Sequence, residues 1–191
     1  MSELQVRHVA TMLKQRYSDK IDVSDCLTTR KEDFNNLFLT RAYAAYSLQV
    51  IADVPEDTAA NSITDGVNDN GIDAILFDKS TKILWIVQSK WKKKGEGEPE
   101  SGDTLKFCIG IKKIIEDDFE SFNDKIKSKQ CDIEDALNDY TVKINLILAY
   151  TGGDNLSSHN LDAIRRLLKE VNEDSEELMS FETFTLSKAH K

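Results

Sequence analysis

The chain has 191 residues, a formal net charge of −9 at pH 7 and a pI near 4.9. Its hydrophobic fraction of 40% and charged fraction of 31% are typical of a globular protein with one core. No apolar stretch approaches the roughly 20 residues that span a bilayer, and no signal sequence opens the chain, so we expect a cytoplasmic protein. The acidic charge repels polyanions at long range, which argues against tight nucleic-acid binding by this chain alone.

The cysteines do not predict a zinc site or a disulfide framework. Cys26, Cys108 and Cys131 are widely spaced and form no Cys-x-x-Cys pair, and the three histidines are equally scattered. We therefore expect free thiols in a reducing compartment.

Two helices are predicted in the first fifty residues. The capping-box pattern Ser2-x-x-Gln5 opens a helix to about Tyr17, with one side formed by Leu4, Val9, Leu13 and Tyr17. A second capping box, Thr29-x-x-Glu32, opens a helix that runs to about residue 50. We divide the chain into an amino-terminal helix with its connector, residues 1–28, and one α/β domain, residues 29–191.

A β-hairpin is predicted at residues 70–90, where two apolar, β-prone runs flank a short polar link. With the turn near Lys79 and Ser80, Asp73 lies opposite Gln88. Because strand side chains alternate, Gln88 and Lys90 share a face in any register, whereas a slip of one residue would remove Asp73 from them. The pattern predicts a carboxylate, an amide and an ammonium group at one end of the hairpin.

This combination of groups suits metal-assisted phosphodiester cleavage. A carboxylate with neighbouring oxygen ligands favours a hard cation such as Mg²⁺, and an ammonium group can orient water or offset charge on a phosphate. A structural alternative is a buried Asp73 that caps a turn, with Gln88 satisfying backbone groups and Lys90 extending to solvent. Asp65 and Asp69, in the loop before the hairpin, are either turn formers or further ligands. An EF-hand is excluded, because Val67 and Asn70 break its pattern.

The remaining elements predict an α/β fold with a central mixed sheet flanked by helices on both faces. Residues 91–103 are charged and rich in glycine, so we expect a mobile surface loop that acts as a connector, a lid or a flap. The predicted elements are a short strand at 62–64, a long helix from about 104 to 126, a polar segment at 127–139, a strand at 142–150, a helix from 157 or 158, and a last strand at 181–186. No closing element is expected after that strand.

A family resemblance rests on the loop and the hairpin. The segment Asp69-Asn70-Gly71-Ile72-Asp73, followed by Gln88-Ser89-Lys90, resembles the Asp-Gly-Gly-Ile-Asp and Gln-x-Lys pair of Mrr-like enzymes, which belong to the PD-(D/E)XK restriction-endonuclease-like superfamily. With Asp65-Gly66 upstream and a helix before it, the pattern is most similar to the amino-terminal domain of abortive-infection phage-resistance (AIPR) proteins.

The resemblance implies a restriction-endonuclease-like core and a role for each matched residue. Asp73 is implied as a metal ligand, Gln88 and the Ser89 carbonyl as the rest of the metal shell, and Lys90 as the catalytic lysine. The implied cofactor is Mg²⁺ or Mn²⁺. Mrr-like enzymes often carry a Glu after a Phe in the preceding helix, whereas here Asn35 follows Phe34. The candidates to replace that acid are Asp65, Asp69 and Glu32, although Glu32 also has a structural reason to be acidic, because it can bind the helix-cap amide.

Our first hypothesis is therefore a metal-dependent nuclease domain, a hydrolase of phage defence that forms part of a longer protein. The expected partner is nucleic acid, with DNA favoured over RNA. We expect Lys92, Lys93 and Lys94 to contact it, with help from regions outside this chain. A homodimer is the candidate assembly. The alternative is a catalytically inactive module of the same fold that binds a protein or nucleic-acid partner. A third candidate is a regulatory fragment that senses a phage component through its first helix.

Overall fold

A computed structural model describes residues 3–27, 30–153, 155–173 and 177–189. Ser2 and Thr29, the first residues of the two predicted capping boxes, lie outside these ranges. The elements in chain order are α1 (Glu3–Tyr17), α2 (Lys31–Ile51), α3 (Glu56–Ala60), β1 (Ala74–Asp78), β2 (Ile83–Lys90), α4 (Ser101–Ile115), α5 (Asp124–Lys127), α6 (Gln130–Leu137), β3 (Lys143–Tyr150), α7 (Ser158–Val171), β4 (Met179–Thr185) and α8 (Leu186–Ala189).

Four strands form one mixed sheet in the order β1-β2-β3-β4. The predicted hairpin is the antiparallel pair β1 and β2, whereas β3 and β4 join in parallel. The predicted strand at 62–64 is reduced to one bridge between Ile63 and Ala74. The pairing of this segment with β1 stops there because Thr64 and Asp65 both donate their backbone N–H to the carbonyl of Asp73. This shared acceptor turns the chain away from β1.

Helices cover both faces of the sheet, as the order of the predicted elements implies. On one face α1, α2, α3 and α8 pack against Trp85 and Val87 of β2. On the other face α4, α5, α6 and α7 pack against Leu84 and Ile86. The fold is therefore an α/β sandwich of three layers, in which successive residues of β2 contact opposite helical layers.

The first two helices match the prediction closely, with one change of face. The buried side of α1 is formed by Val6, Val9, Leu13 and Tyr17. Leu4 was expected on that side, but it is 58% exposed.

Along the part of the chain that the structure describes, no helix has both the length and the apolar character that a bilayer span requires.

The segment from 91 to 139 differs most from the prediction. Helix α4 begins at Ser101 and ends at Ile115, after which Asp117 adopts a positive φ of 60° that turns the chain. The rest of the predicted long helix is a turn followed by α5, although Phe119, Phe122 and Ile126 remain buried. The predicted polar segment contains α6, a short helix whose buried residues are Ile133 and Ala136, three positions apart.

Two further expectations are corrected at the surface. The segment expected to be a mobile loop is anchored, because Glu98 accepts hydrogen bonds from the Ser157 backbone N–H and from Asn160 Nδ2, and Gly97 O accepts one from the Gly153 N–H. The chain also continues after β4 into the short helix α8, where no element was expected.

Candidate metal site

Asp73 lies just before β1, and its backbone N–H donates a 2.8 Å hydrogen bond to the carbonyl of Val87, the neighbour of the predicted partner Gln88. The paired residues of the hairpin end at Ala74 and Val87, one residue before the predicted pair of Asp73 and Gln88. The Oδ2 atom of Asp73 accepts a hydrogen bond of 2.6 Å from the Ser89 backbone N–H. The carboxyl group is thereby fixed against β2, where its side chain is almost fully buried.

The predicted site residues of the hairpin, Asp73, Gln88, Ser89 and Lys90, line one cavity of about 220 Å³. It lies between α2, the loop before β1, the end of β2 and the start of α4. The lining residues are Asn36, Thr40, Asp65, Asp69, Gly71, Asp73, Gln88, Ser89, Lys90, Trp91, Asp103 and Lys106. Asp73 and Lys90 therefore face the same space, which the hypothesis of metal-assisted chemistry requires.

Three carboxyl groups converge in this cavity. Asp65, Asp69 and Asp73 each offer one carboxylate oxygen, and these oxygens lie within 4.8 Å of one another. Asp65 Oδ2 also accepts a hydrogen bond of 2.6 Å from Arg41 Nε, and Asp69 Oδ1 accepts one of 2.9 Å from Lys106 Nζ. These two residues therefore have structural partners and also lie within reach of a shared cation.

The pKa of Asp73 lies well above its usual value. Burial is the largest cause, because it penalises the charged form, and the negative charges of Asp65 and Asp69 raise the pKa further. The Ser89 N–H and the Lys90 ammonium group lower it only in part. Ionisation of Asp73 is therefore unfavourable at this position, and a divalent cation among the three carboxylates would favour it.

Gln88 provides the strongest evidence that the cavity fits a cation. Its Nε2 atom donates hydrogen bonds of 3.2 Å to Gly71 O and 2.9 Å to Asp103 O. Because both acceptors are carbonyl oxygens, the orientation of the amide is unambiguous. Its Oε1 atom is buried and has no hydrogen-bond partner in the part of the chain that the structure describes. Such an orphaned acceptor is unfavourable unless a ligand completes it, and an amide oxygen is a suitable ligand for Mg²⁺ or Mn²⁺.

Lys90 is held as a permanent cation. Its Nζ atom donates a 2.9 Å hydrogen bond to Asp103 Oδ1. Burial lowers the pKa of Lys90, but the hydrogen bond to Asp103 and the negative charges of Asp73 and Asp69 outweigh burial, so its pKa lies above the usual value. Lys90 can therefore donate hydrogen bonds and offset negative charge, but it is a poor general base at neutral pH.

Several polar residues of the cavity were not predicted from the sequence, among them Asn36, Asp103 and Lys106. Asn36 of α2 lines the cavity, and its buried Oδ1 has no hydrogen-bond partner among the described residues. Its signal was the helical spacing to Thr40, which also lines the cavity. Asp103 was assigned to a surface loop, and nothing local in the sequence indicates its contact with Lys90.

Other candidates lie outside the cavity lining. The exposed carboxylate of Glu32 is paired with Lys93, so the structure does not bring Glu32 to the proposed ligands. Lys93 and Lys94 are exposed beyond the cavity, and Lys92 donates its backbone N–H to Thr151 Oγ1. The two basic side chains that line the cavity directly are Lys90 and Lys106.

Fold and site together describe an α/β protein with a candidate divalent-cation site where a β-hairpin meets two helices. Comparison of the chain with protein-family models, with curated proteins and with solved structures gave no match.

Proposed function

We propose that the chain is a metal-dependent nuclease domain with a restriction-endonuclease-like core. It hydrolyses phosphodiester bonds of nucleic acid, with DNA favoured over RNA as the substrate. The observation that carries the proposal is that Gln88, whose buried Oε1 has no hydrogen-bond partner among the described residues, lines the same cavity as the buried Asp73. The AIPR-like motif supports a role in phage defence by abortive infection, within a longer protein.

The proposed ligands of Mg²⁺ or Mn²⁺ are the Asp73 carboxylate, Gln88 Oε1 and the Ser89 backbone carbonyl, with Asp65 and Asp69 as further acidic groups. When bound, the cation supplies a Lewis acid that polarises the scissile phosphate and acidifies a water molecule. A neutral amide in place of a second carboxylate weakens binding, so we expect activity to require millimolar metal.

The proposed role of Lys90 follows from its fixed charge. The ammonium group donates hydrogen bonds to the attacking water and to a phosphate oxygen, and it offsets the negative charge that develops during hydrolysis. Lys92, Lys93 and Lys94 follow β2 and provide contacts to the phosphate backbone in this proposal. These local cations reduce the repulsion that a net charge of −9 imposes on nucleic acid.

A non-catalytic module of the same fold is the second candidate function. Three groups of the cavity already have ion-pair partners, since Asp65 pairs with Arg41, Asp69 with Lys106 and Lys90 with Asp103. A site neutralised internally in this way suits a domain that binds a protein or nucleic-acid partner without cleaving it.

Plasmid cleavage with Mg²⁺ or Mn²⁺ tests the proposed function. We expect Asp73→Asn and Lys90→Ala to lower the cleavage rate at least about 100-fold, since each removes a group that acts on the reacting phosphate. Asp132→Asn and Lys79→Ala are matched controls, because these residues form an exposed ion pair near the opposite, turn end of the hairpin. Equal cleavage by all five proteins, wild type included, would exclude this site as the nuclease centre.

A further inference from the structure

Asp103 contacts both functional side chains of β2 through different atoms. Its backbone carbonyl accepts a 2.9 Å hydrogen bond from Gln88 Nε2, and its carboxylate accepts one of 2.9 Å from Lys90 Nζ. We propose that Asp103 is the positioning residue of the cavity, which orients the amide of Gln88 and the ammonium group of Lys90 together. This inference rests on the proposed function for its catalytic consequence.

The carbonyl of Asp103 determines which way the Gln88 amide faces. The two hydrogens of Nε2 are bound by the carbonyls of Asp103 and Gly71, so rotation of the amide would bring oxygen against oxygen. Oε1 has no hydrogen-bond donor among the described residues, although Gln88 is only 1% exposed. The contact thus presents Oε1 as an acceptor that is available to a cation or another ligand.

The carboxylate of Asp103 restricts a side chain that is otherwise free to rotate. Lysine carries a flexible four-carbon stem, and the side chain of Lys90 is 34% exposed. Solvent screens an ion pair with this exposure, so its contribution to stability is small. Its effect is geometric, because it keeps Nζ beside the cavity that Asp73 lines.

The position of Asp103 is itself fixed by the anchored segment before α4. Asp103 lies in the first turn of that helix, where its backbone N–H donates to Glu100 O at 2.9 Å. Glu98 and the Pro99 carbonyl accept hydrogen bonds from Asn160 Nδ2 of α7. The segment before α4 is therefore hydrogen-bonded to the start of α7. These hydrogen bonds fix the backbone of Asp103, which in turn contacts Gln88 and Lys90.

Asp103→Ala removes the carboxylate and leaves the backbone carbonyl in place, so it separates the two contacts. We expect kcat for plasmid cleavage with Mn²⁺ to fall about 10- to 100-fold, as for other residues that orient a catalytic group. The Mn²⁺ affinity measured by calorimetry should stay unchanged, because the contact to Gln88 is retained. Glu100→Ala is the matched control, since it removes an exposed carboxylate from the same helix start and should leave kcat unchanged.

A double-mutant cycle distinguishes positioning from a general structural effect. If Asp103 acts through Lys90, the double variant Asp103→Ala with Lys90→Ala should be no slower than Lys90→Ala alone. Restored cleavage by Asp103→Glu would support the role of the carboxylate. Unchanged or raised kcat in Asp103→Ala, or additive losses in the double variant, would overturn the inference while leaving the nuclease intact.

Acetic anhydride labelling of lysines tests the contact independently of cleavage. We expect Lys90 to react several-fold faster in Asp103→Ala than in the wild type, with the exposed Lys94 as the internal reference. If the wild type does not cleave, the nuclease proposal fails, and the labelling result alone decides whether Asp103 holds Lys90. Equal labelling of Lys90 in both proteins would overturn that contact.

Discussion

At the scale of the residue, Asp73 carries a conflict between stability and function. Burial and two neighbouring carboxylates raise the pKa of this carboxyl group well above the usual value. The ionised form, which a cation needs, is therefore the form that this environment disfavours. Gln88 shows the same conflict, because its buried Oε1 has no hydrogen-bond donor among the described residues. Unfavourable buried groups of this kind are typical of functional sites.

We predict that Asp73→Asn makes the metal-free protein more stable at neutral pH. An acid whose folded pKa is raised favours folding while it is protonated, below an unfolded pKa of about 3.9, and loses that contribution as pH rises towards the folded pKa. Asparagine does not titrate, so its advantage should widen from pH 4 to pH 7. Thermal melts with a chelator should show a Tm about 2 °C or more above the wild type at pH 7. A gap that is independent of pH, or a wild type that is more stable at pH 7, would contradict this prediction.

At the scale of the element, the site depends on how closely α4 approaches the loop before β1. A Cβ atom built on Gly110 of α4 would lie 2.5 Å from the Asn70 carbonyl oxygen, so only glycine permits this approach. On the loop side, Gly71 has a φ of 80°, and its Cβ would lie 2.9 Å from the Phe107 backbone nitrogen. These two glycines let the helix that carries Asp103 and the loop that carries Asp69 close around one cavity.

We predict that Gly110→Ala destabilises the protein by about 1–3 kcal/mol, the usual effect of overpacking, and weakens Mn²⁺ binding because α4 or the loop must shift. Gly102→Ala is the control in the same helix, since apart from its chain neighbours and the nearby helix backbone no described atom lies within 4 Å of the added Cβ. That change should be neutral or slightly stabilising, by up to about 1 kcal/mol. Urea unfolding measures both effects. Equal stability of the two variants would show that the approach at Gly110 is not required.

At the scale of the whole molecule, the sequence predicted the parts of the site that local pattern encodes. The two strands and their short link predicted the hairpin and its register to within one residue at Asp73, and Asp73, Gln88 and Lys90 line one cavity. The strand expected at 62–64 is limited to the bridge between Ile63 and Ala74, because two N–H groups converge on one carbonyl there. Asp103 and Asn36 were missed because their roles arise from packing between elements that are distant in the chain. The restriction-endonuclease-like assignment and the metal remain proposals.

Calorimetric titration with Mn²⁺ tests the central claim most directly, because it measures the cation site without requiring cleavage. The account predicts one ion bound per wild-type chain, with millimolar affinity, and no binding to Asp73→Asn. Asp132→Asn, which alters an exposed carboxylate far from the cavity, should bind as the wild type does. Absence of Mn²⁺ binding to the wild type, or equal binding to Asp73→Asn, would contradict the account.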